Sequence, residues 1–228
     1  MARDVEQAGR KQAHLKRETV VQAALNLLND VGLEGLTMRR LADHLGVQVA
    51  ALYWHFKNKQ ELLNAMADAM IADWGRDLPD DEDWAHRLQA GVQDLRRCLL
   101  AYRDGARVLA DTYVAEENTL RCAEILCEIL VQSGCPPASI FNAGWTMLYY
   151  VIGLTIEEQA FHTSVDSAYQ RILAAALPSP QYPMLSMFQP YLENYDFDAR
   201  FNYGLNLIIE GLRQESNKSM KEDGSAEQ

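Results

Sequence analysis

The sequence predicts an all-α protein, in which a small three-helix, helix-turn-helix head at the N-terminus is joined to a larger helical domain. Apolar residues recur at helical spacing through most of the chain, and no segment shows the alternation that is typical of a strand. Glycine and proline separate the helical segments. A length of 228 residues and a hydrophobic share of 48% suit a globular protein of one or two domains.

The first helix is predicted from Glu18 to Val31, because apolar side chains recur there every three or four residues and Gly32 follows. Residues 1–17 are predicted to form a flexible basic arm. Such an arm could follow the phosphate backbone of DNA or enter its minor groove, or it could be a disordered tail that only aids solubility. Its basic residues are Arg3, Arg10, Lys11, Lys16 and Arg17.

Two short helices about a glycine come next. Thr37 can cap the first of them, because its hydroxyl can accept hydrogen bonds from free backbone N–H groups, and Gly46 can end it. The second is predicted over about residues 48–55, with Leu52 and Phe56 buried. This arrangement is typical of a helix-turn-helix, whose second helix enters the major groove of DNA.

A fourth helix is predicted to begin at Asn58, which resembles a capping box together with Glu61. It is predicted to run to about Trp74 and to connect the head to the rest of the chain. We therefore assign residues 18–64 to the helix-turn-helix DNA-binding head and residues 65–214 to the larger helical domain.

The larger domain is predicted to contain several helices separated by glycine and proline. A segment that begins at Trp84 is interrupted at Gly105, and further helical segments lead to a stop at residues 134–137. An apolar, aromatic helix is predicted over about residues 139–161.

The C-terminal part begins with residues 177–190, which carry four prolines and are predicted to form an irregular loop. A last helix is predicted over about residues 197–214. The polar residues 215–228 are predicted to form a disordered tail.

The net charge of −11 is unevenly distributed along the chain. Residues 1–60 hold nine Lys and Arg against six Asp and Glu, whereas residues 61–228 hold twelve against twenty-six. A local basic surface, rather than the total charge, attracts phosphate. The N-terminal part is therefore the predicted contact face for double-stranded DNA.

Several other classes of protein are not predicted. The chain has no run of about 18 apolar residues and no secretion signal, which predicts a soluble, cytoplasmic protein without a membrane partner. No Ser-His-Asp or Cys-His arrangement and no phosphate loop is present, so neither an enzyme nor a cofactor or metal site is predicted. The cysteines lack C-x-x-C spacing and are interpreted as core thiols, with a redox switch as the alternative. They are Cys98, Cys122, Cys127 and Cys135.

The predicted helix-turn-helix offers side chains that can contact DNA. Arg39 can bond guanine O6 and N7 together, and Gln48 can read adenine. Val49 and Ala51 could only touch thymine methyl groups or exclude water. Most of the other candidates suit contacts to phosphate and sugar, although a structural role is the alternative for the histidine. These candidates are Thr37, Tyr53, Trp54, His55 and Lys59.

The segments LNLLNDVGLEGLTMRRLADHLGV and ALYWHFKNKQELLNAM resemble the DNA-binding domain of the TetR family of bacterial transcriptional regulators without a gap. LRRCLLAYRDGARV and GLTIEEQ resemble the larger domain of the tetracycline-repressor branch of that family. The resemblance implies DNA contacts by Tyr53, His55 and Lys59 and base recognition by Arg39. It also implies a different operator sequence, because Val49 replaces a base-reading glutamine.

The resemblance further implies a small-molecule site in the larger domain, altered from the one that holds magnesium–tetracycline. Loss of the imidazoles leaves a poor set of ligands for a divalent ion, so we expect no recognition of metal–tetracycline. The two histidines become Gly75 and Leu109, the asparagine becomes Gly91, the phenylalanine becomes Leu95, and only Thr112 and Glu157 are retained.

These replacements remove polarity or bulk, so a roomier and more apolar cavity is expected, suited to a hydrophobic or aromatic ligand. The aromatic residues among its candidate lining could instead belong to the core or to a dimer interface. The candidate ligand-binding residues are Leu95, Leu109, Thr112, Leu126, Trp145, Leu148, Tyr149 and Glu157.

The helices predicted over 139–161 and 197–214 resemble the pair that forms the dimer interface of the family. A homodimer would place two recognition helices about 34–36 Å apart and require a palindromic operator. The sequence therefore predicts a homodimeric repressor that a small-molecule effector releases from its operator. A thiol-responsive or metal-responsive regulator, or a regulator without an inducer, is the alternative.

Overall fold

The computed structural model describes residues 15–80, 83–112, 115–164, 171–172, 175–176, 181–192 and 195–226. Every regular element in these ranges is an α-helix, which confirms the predicted all-α class. The predicted basic arm lies outside the described residues, apart from its last three positions. The helices are α1 (Arg17–Gly35), α2 (Met38–Leu45), α3 (Val49–Tyr53), α4 (Lys59–Met70), α5 (Trp84–Leu100), α6 (Gly105–Ala110), α7 (Glu117–Val131), α8 (Pro137–Ser164), α9 (Pro183–Met187), α10 (Gln189–Leu192) and α11 (Phe197–Ala226).

Helices α1 to α4 form the N-terminal head around one apolar cluster. Gly32 interrupts α1 at the predicted stop, with φ 71° and ψ 174°, so α1 consists of two helical pieces joined at a kink. A side chain at this φ would be strained, which explains the glycine. Side chains of this cluster that are fully buried include Leu28, Leu41, Leu52, Phe56 and Met66.

The start and end signals of α2 act as the sequence predicts. The Thr37 hydroxyl accepts a hydrogen bond from the backbone N–H of Arg40 at 3.1 Å. Gly46 ends the helix in the left-handed conformation, with φ 67° and ψ 37°. Helix α3 then begins after Gln48, so the two helices meet at a glycine turn.

Helix α4 starts at the predicted position, where the Asn58 side chain accepts a hydrogen bond from the Glu61 N–H at 2.8 Å. It ends at Met70 rather than near Trp74, and residues 71–77 form turns. The apolar side chains of α4 belong to the head cluster as far as Met70, whereas Ile71 and Trp74 pack against the larger domain. The apolar cluster of the head therefore includes side chains as far as Met70.

The larger domain is built around α8, which packs against α5, α6, α7 and α11. The domain also contains a nearly buried ion pair, in which the Arg96 guanidinium donates to Glu158 at 2.8 Å. Arg96 donates as well to the exposed Asp198 at 2.6 Å. Buried apolar residues of this core include Leu88, Leu99, Ile129, Val151 and Phe201.

Helices α8 and α11 approach each other closely at Tyr150 and Gly204. The Tyr150 hydroxyl donates to the carbonyl oxygens of Arg200 and Phe201, each 3.0 Å away. A Cβ atom on Gly204 would lie 2.3 Å from the Tyr150 Oη, so only glycine fits beneath the ring.

Two C-terminal predictions are wrong. Within 177–190, the described residues form α9 and the start of α10, because proline is tolerated in the first turn of a helix; residues 177–180 lie outside the described part. The predicted disordered tail is helical, since α11 continues to Ala226. Ser139 donates to Glu215, and Ser216 is buried, so packing holds the helix beyond residue 214.

One stretch among the described residues, Pro137–Phe161 in α8, is long and apolar enough to cross a membrane by length and composition alone. The sequence predicted no membrane partner because the chain has no uninterrupted run of about 18 apolar residues. Two apolar faces account for the composition of this helix: one side carries core residues such as Met147 and Val151, and the other carries exposed aromatic residues.

Candidate DNA-binding and ligand-binding sites

The helix-turn-helix presents most of the predicted DNA-reading side chains to solvent. Arg39 and Gln48 are exposed, Tyr53 is half-exposed and Trp54 is 89% exposed. Such exposure of an indole is unusual for a residue without a partner surface. Arg40, next to Arg39, instead turns back and donates to the Gly35 carbonyl at 3.2 Å.

The structure corrects the prediction for Ala51. Its side chain is 4% exposed, so it faces the interior of the head and cannot touch a base. Ala50 is the exposed alanine of α3, and Val49 is half-buried against the head cluster. The five-residue helix α3 buries two consecutive positions, 51 and 52, which the periodicity of so short a helix could not distinguish.

The basic side chains at the end of the motif differ in their availability to phosphate. Lys59 is half-buried and its Nζ donates to the Leu33 carbonyl at 3.4 Å, while His55 is also half-buried. Lys57 is exposed, and its backbone N–H is held by the Glu61 carboxylate at 2.6 Å. Lys57 was not among the predicted contacts, although its position in the KNK segment could have indicated it.

The turn between α5 and α6 connects the larger domain to the head by a hydrogen bond. Asp104, which has a left-handed φ of 57°, accepts a hydrogen bond from the Leu33 N–H at 2.8 Å, next to the kink in α1. The Gln159 side chain of α8 holds this turn by donating to the carbonyls of Leu99 at 3.0 Å and Tyr102 at 2.7 Å. The central helix of the larger domain is thereby connected to the head.

The predicted ligand site is filled by a side chain of the protein itself. Leu95 and Leu126 come together as predicted, but they pack around Trp74, which is 4% exposed. The Trp74 Nε1 donates to the Gly91 carbonyl at 2.7 Å. A Cβ atom on Gly91 would lie 3.3 Å from the Trp74 ring and 3.5 Å from Leu78. The expectation of a roomier cavity is therefore wrong at this position.

The polar residues expected to remain at the site do not meet there. The Thr112 hydroxyl donates to the Leu109 carbonyl at 2.8 Å, and Glu157 is exposed. Leu148 is half-buried. Thr155, one turn before Gln159 on α8, was not predicted as a site residue; its hydroxyl is buried and has no hydrogen-bond partner among the described residues.

Trp145 and Tyr149 are exposed on α8, and their assignment as ligand-binding residues stays a prediction. Trp145 is 39% exposed and lies between Phe141 and Tyr149, with an edge-to-face contact to Phe141 (ring centroids 6.3 Å apart) and a tilted contact to Tyr149 (5.7 Å). These three residues form an exposed aromatic stripe along α8. On α11, which packs beside it, Tyr203 and Leu207 are also exposed.

The cysteines are unpaired; Cys98 and Cys135 are buried, and Cys122 is partly buried. Burial raises the pKa of the Cys122 thiol to about 11, and burial likewise raises the pKa of Cys98. Since the thiolate is the reactive form, both thiols are poor nucleophiles at neutral pH. Cys127 is exposed on α7.

An open, polar cleft of about 320 Å³ lies between the start of α5 and the middle of α11, where Arg213 approaches Asp83 at 3.7 Å. Among the residues that the structure describes, no group of three or more His, Cys, Asp or Glu side chains is placed to hold a metal ion. The cleft is separate from the apolar cluster around Trp74.

Family models match both parts of the chain. The model described as bacterial regulatory proteins, tetR family, matches residues 20–66, and that described as tetracyclin repressor-like, C-terminal domain, matches residues 78–216. Among curated proteins, the class C tetracycline repressor protein of Escherichia coli is 40% identical over 202 residues, which covers 88% of this chain and 91% of that protein.

Solved structures show the same likeness. A possible TetR family transcriptional regulator from Streptomyces coelicolor A3(2) superposes with a TM-score of 0.79 and 41% identity, covering 87% of this chain and 99% of that one. ActR of Streptomyces coelicolor in complex with actinorhodin gives a TM-score of 0.81 at 28% identity, covering 89% and 98%.

Proposed function

Because the chain belongs to the TetR family of bacterial transcriptional regulators, we propose that it is a homodimeric repressor that binds a palindromic operator and is released by a small hydrophobic or aromatic molecule. Membership of the family makes the chain a DNA-binding regulator with a ligand-binding C-terminal domain, and not an enzyme. Regulators of this family are soluble and act in the cytoplasm.

The observation that carries the proposal is the exposed surface of the helix-turn-helix. The side chains of Arg39 and Gln48 are exposed to solvent. Leu52 and Phe56 are buried in the head cluster and so fix the position of α3. Arginine and glutamine at these positions suit guanine and adenine edges in the major groove. Tyr53 and Lys57 would contact phosphate and sugar on either side, which fixes position without adding sequence information.

The exposed aromatic stripe on α8 supports a dimer. A contiguous apolar surface formed by Trp145, Tyr149 and their neighbour Phe141 is costly in water, and Leu207 is also exposed on the neighbouring α11. A second copy of the chain related by a two-fold axis would cover this surface with the same residues. The two heads could then reach adjacent major grooves on one face of a palindromic operator.

The proposed effector is apolar because the site around Trp74 is apolar. Leu95 and Leu126 supply its walls, and Gly75 and Leu109 stand where the tetracycline repressors have histidines. We do not expect magnesium–tetracycline to bind, since an imidazole-free site offers few oxygen or nitrogen ligands. The ActR structure in complex with actinorhodin supports a small organic ligand in a domain of this fold.

A thiol-responsive regulator that acts through Cys98 or Cys122 is disfavoured, because Cys98 is buried, Cys122 is partly buried, and desolvation raises the pKa of both thiols. A regulator without an inducer differs from the main proposal only in its response to ligands.

The test is fluorescence anisotropy of labelled double-stranded DNA from beside the protein's own gene, titrated with the purified protein at low salt. Specific binding that an aromatic compound abolishes is expected. If the protein binds this DNA but no compound of a broad lipophilic panel abolishes the binding, the proposed inducer is contradicted and the assignment as a DNA-binding regulator stands. Equal affinity for unrelated DNA would contradict the operator proposal, and a matched Arg39→Ala variant shows whether the predicted surface is responsible.

A further inference from the structure

We propose that the indole of Trp74 is a displaceable occupant of the effector site. The effector is then a planar aromatic molecule with an N–H or O–H group, which takes the place of the indole against the Gly91 carbonyl. This inference rests on the proposed function, because it names the ligand chemistry of the same site.

The indole lies among the residues that were predicted to bind the ligand. Trp74 packs with Leu95 and Leu126, and with the buried Ile71 and Cys98. The space is apolar on the side of these residues, so the ring is held there by packing. The Trp74 indole therefore occupies the place that was predicted for the ligand.

Gly91 makes room for the ring. A Cβ atom there would lie 3.3 Å from the Trp74 Cζ2, which is a tight contact, and 3.5 Å from the Leu78 Cδ2, so a side chain at residue 91 would press on the ring. The bare backbone also exposes the carbonyl that accepts the indole N–H at 2.7 Å. A flat ring with one suitably placed donor matches this surface, because a buried donor needs its partner.

Trp74 can leave more easily than its neighbours because it is not part of a helix. Residues 71–77 form turns, and Gly75 within them has a left-handed φ of 77°. Movement of this segment breaks no hydrogen bond within α5 or α7, whereas Leu95 and Leu126 are fixed on those helices. The indole is thus the part of the site's lining that can move without the unwinding of a helix.

Displacement of the indole would shift the segment that follows the end of α4. The Arg121 guanidinium on α7 donates to the carbonyls of Trp74 at 2.9 Å and Ala72 at 3.0 Å. The Asp94 carboxylate accepts from the Gly75 N–H at 3.0 Å. Since α4 is packed in the head as far as Met70, a shift of this segment changes the support of the DNA-binding surface.

Competition by the indole also lowers the apparent affinity of any effector. The ligand binds only the conformer from which the ring has left, so its measured affinity is reduced by the fraction of that conformer. Removal of the indole should therefore improve binding of a suitable probe, in contrast to the usual effect of removing a binding residue.

The experiment is isothermal titration calorimetry of the full-length protein with 2-naphthol, which has a donor, and 2-methoxynaphthalene, which lacks one. Trp74→Ala is expected to bind 2-naphthol about tenfold more tightly than the natural chain does, and about tenfold more tightly than it binds 2-methoxynaphthalene. Trp84→Ala, at the start of α5 and outside this cluster, is the matched control and should resemble the natural chain.

Equal affinity of Trp74→Ala and the natural chain for 2-naphthol, or equal affinity of Trp74→Ala for the two probes, would overturn the proposal. If Trp74→Ala does not fold, Trp74→Phe keeps an apolar ring without the N–H and should still bind 2-naphthol several-fold more tightly than the natural chain; unchanged affinity would overturn the proposal. These titrations contain no DNA, so failure of operator binding is a separate result that bears only on the proposed function.

Discussion

The Asp68 carboxylate on α4 caps the first turn of α7 through Thr119. Its Oδ1 accepts hydrogen bonds from the Thr119 backbone N–H at 2.8 Å and from the Thr119 hydroxyl at 2.6 Å. The other carboxylate oxygen accepts from the Asn118 side chain at 2.8 Å. A residue of the head therefore satisfies free N–H groups at a helix start in the larger domain, which the residue preceding α7 leaves uncapped.

We expect Asp68→Ala to lower the free energy of unfolding by roughly 1–3 kcal/mol, because it leaves partly buried donors without an acceptor. Urea denaturation followed by circular dichroism measures this. Thr119→Val is the control, since it removes only the hydroxyl and keeps the backbone hydrogen bond; it should cost less than Asp68→Ala. Equal losses would show that the backbone cap contributes little.

Two kinds of DNA contact should be separable by mutation. Arg39→Ala should weaken operator binding by about 1–3 kcal/mol and relax discrimination at one base pair. Lys57→Ala should weaken binding to all sequences alike and reduce the slope of log affinity against log salt by about 1. Anisotropy titrations at several salt concentrations measure both, and a sequence-specific effect of Lys57→Ala would contradict its assignment as a phosphate contact.

Trp145→Arg should abolish the homodimer, because it places a charge in the middle of the exposed aromatic stripe on α8. Sedimentation velocity should then show a species of about half the natural mass, together with loss of operator affinity. Leu120→Arg is the matched control, since Leu120 is 57% exposed on α7, outside the stripe. A monomeric Leu120→Arg protein, or a dimeric Trp145→Arg protein, would place the interface elsewhere.

The raised pKa of Cys122 predicts both slow alkylation and loss of stability in alkali. At pH 8 a thiol with a pKa of about 11 is ionised to about one part in a thousand, so iodoacetamide should label Cys127 first. The folded-state pKa lies above the ordinary value of 9.0, so the stabilising contribution of the buried thiol is complete below pH 9 and declines as the pH rises towards about 11.

Mass spectrometry of the alkylated peptides and urea denaturation between pH 8 and 10.5 test these expectations. Cys122→Ala should flatten the alkaline decline, whereas Cys127→Ser should leave it unchanged. Rapid labelling of Cys122 in the folded protein would contradict its burial and would revive the thiol-responsive alternative.

Local signals made much of the head predictable. The cap at Thr37 and the C-terminal glycine at Gly46 each depend on a few neighbouring residues, and the structure has both as expected. Gly32 was predicted to end the first helix, whereas it forms a kink after which α1 continues to Gly35. The exchange of Ala50 and Ala51 was not predictable, because two adjacent alanines have the same side chain and α3 is too short to define a period.

The ligand site needed three-dimensional information. Comparison of aligned positions shows that an asparagine has been lost at Gly91, but it does not show which neighbour occupies the space. Trp74 was expected at the end of a helix, whereas it lies on a turn from which its ring reaches Gly91. Polar composition likewise predicted a disordered tail, although contacts at Ser216 and Glu215 extend α11.

The close approach of Tyr150 and Gly204 restricts the mutational paths open to this protein. Alanine at residue 204 would place its Cβ atom 2.3 Å from the hydroxyl oxygen and 2.6 Å from the Cζ of Tyr150, so even Tyr150→Phe would leave a clash. A smaller residue at 150 without a change at 204 would open a hole between α8 and α11. Both first steps are destabilising, so descendants of this chain are expected to keep both residues or to change both.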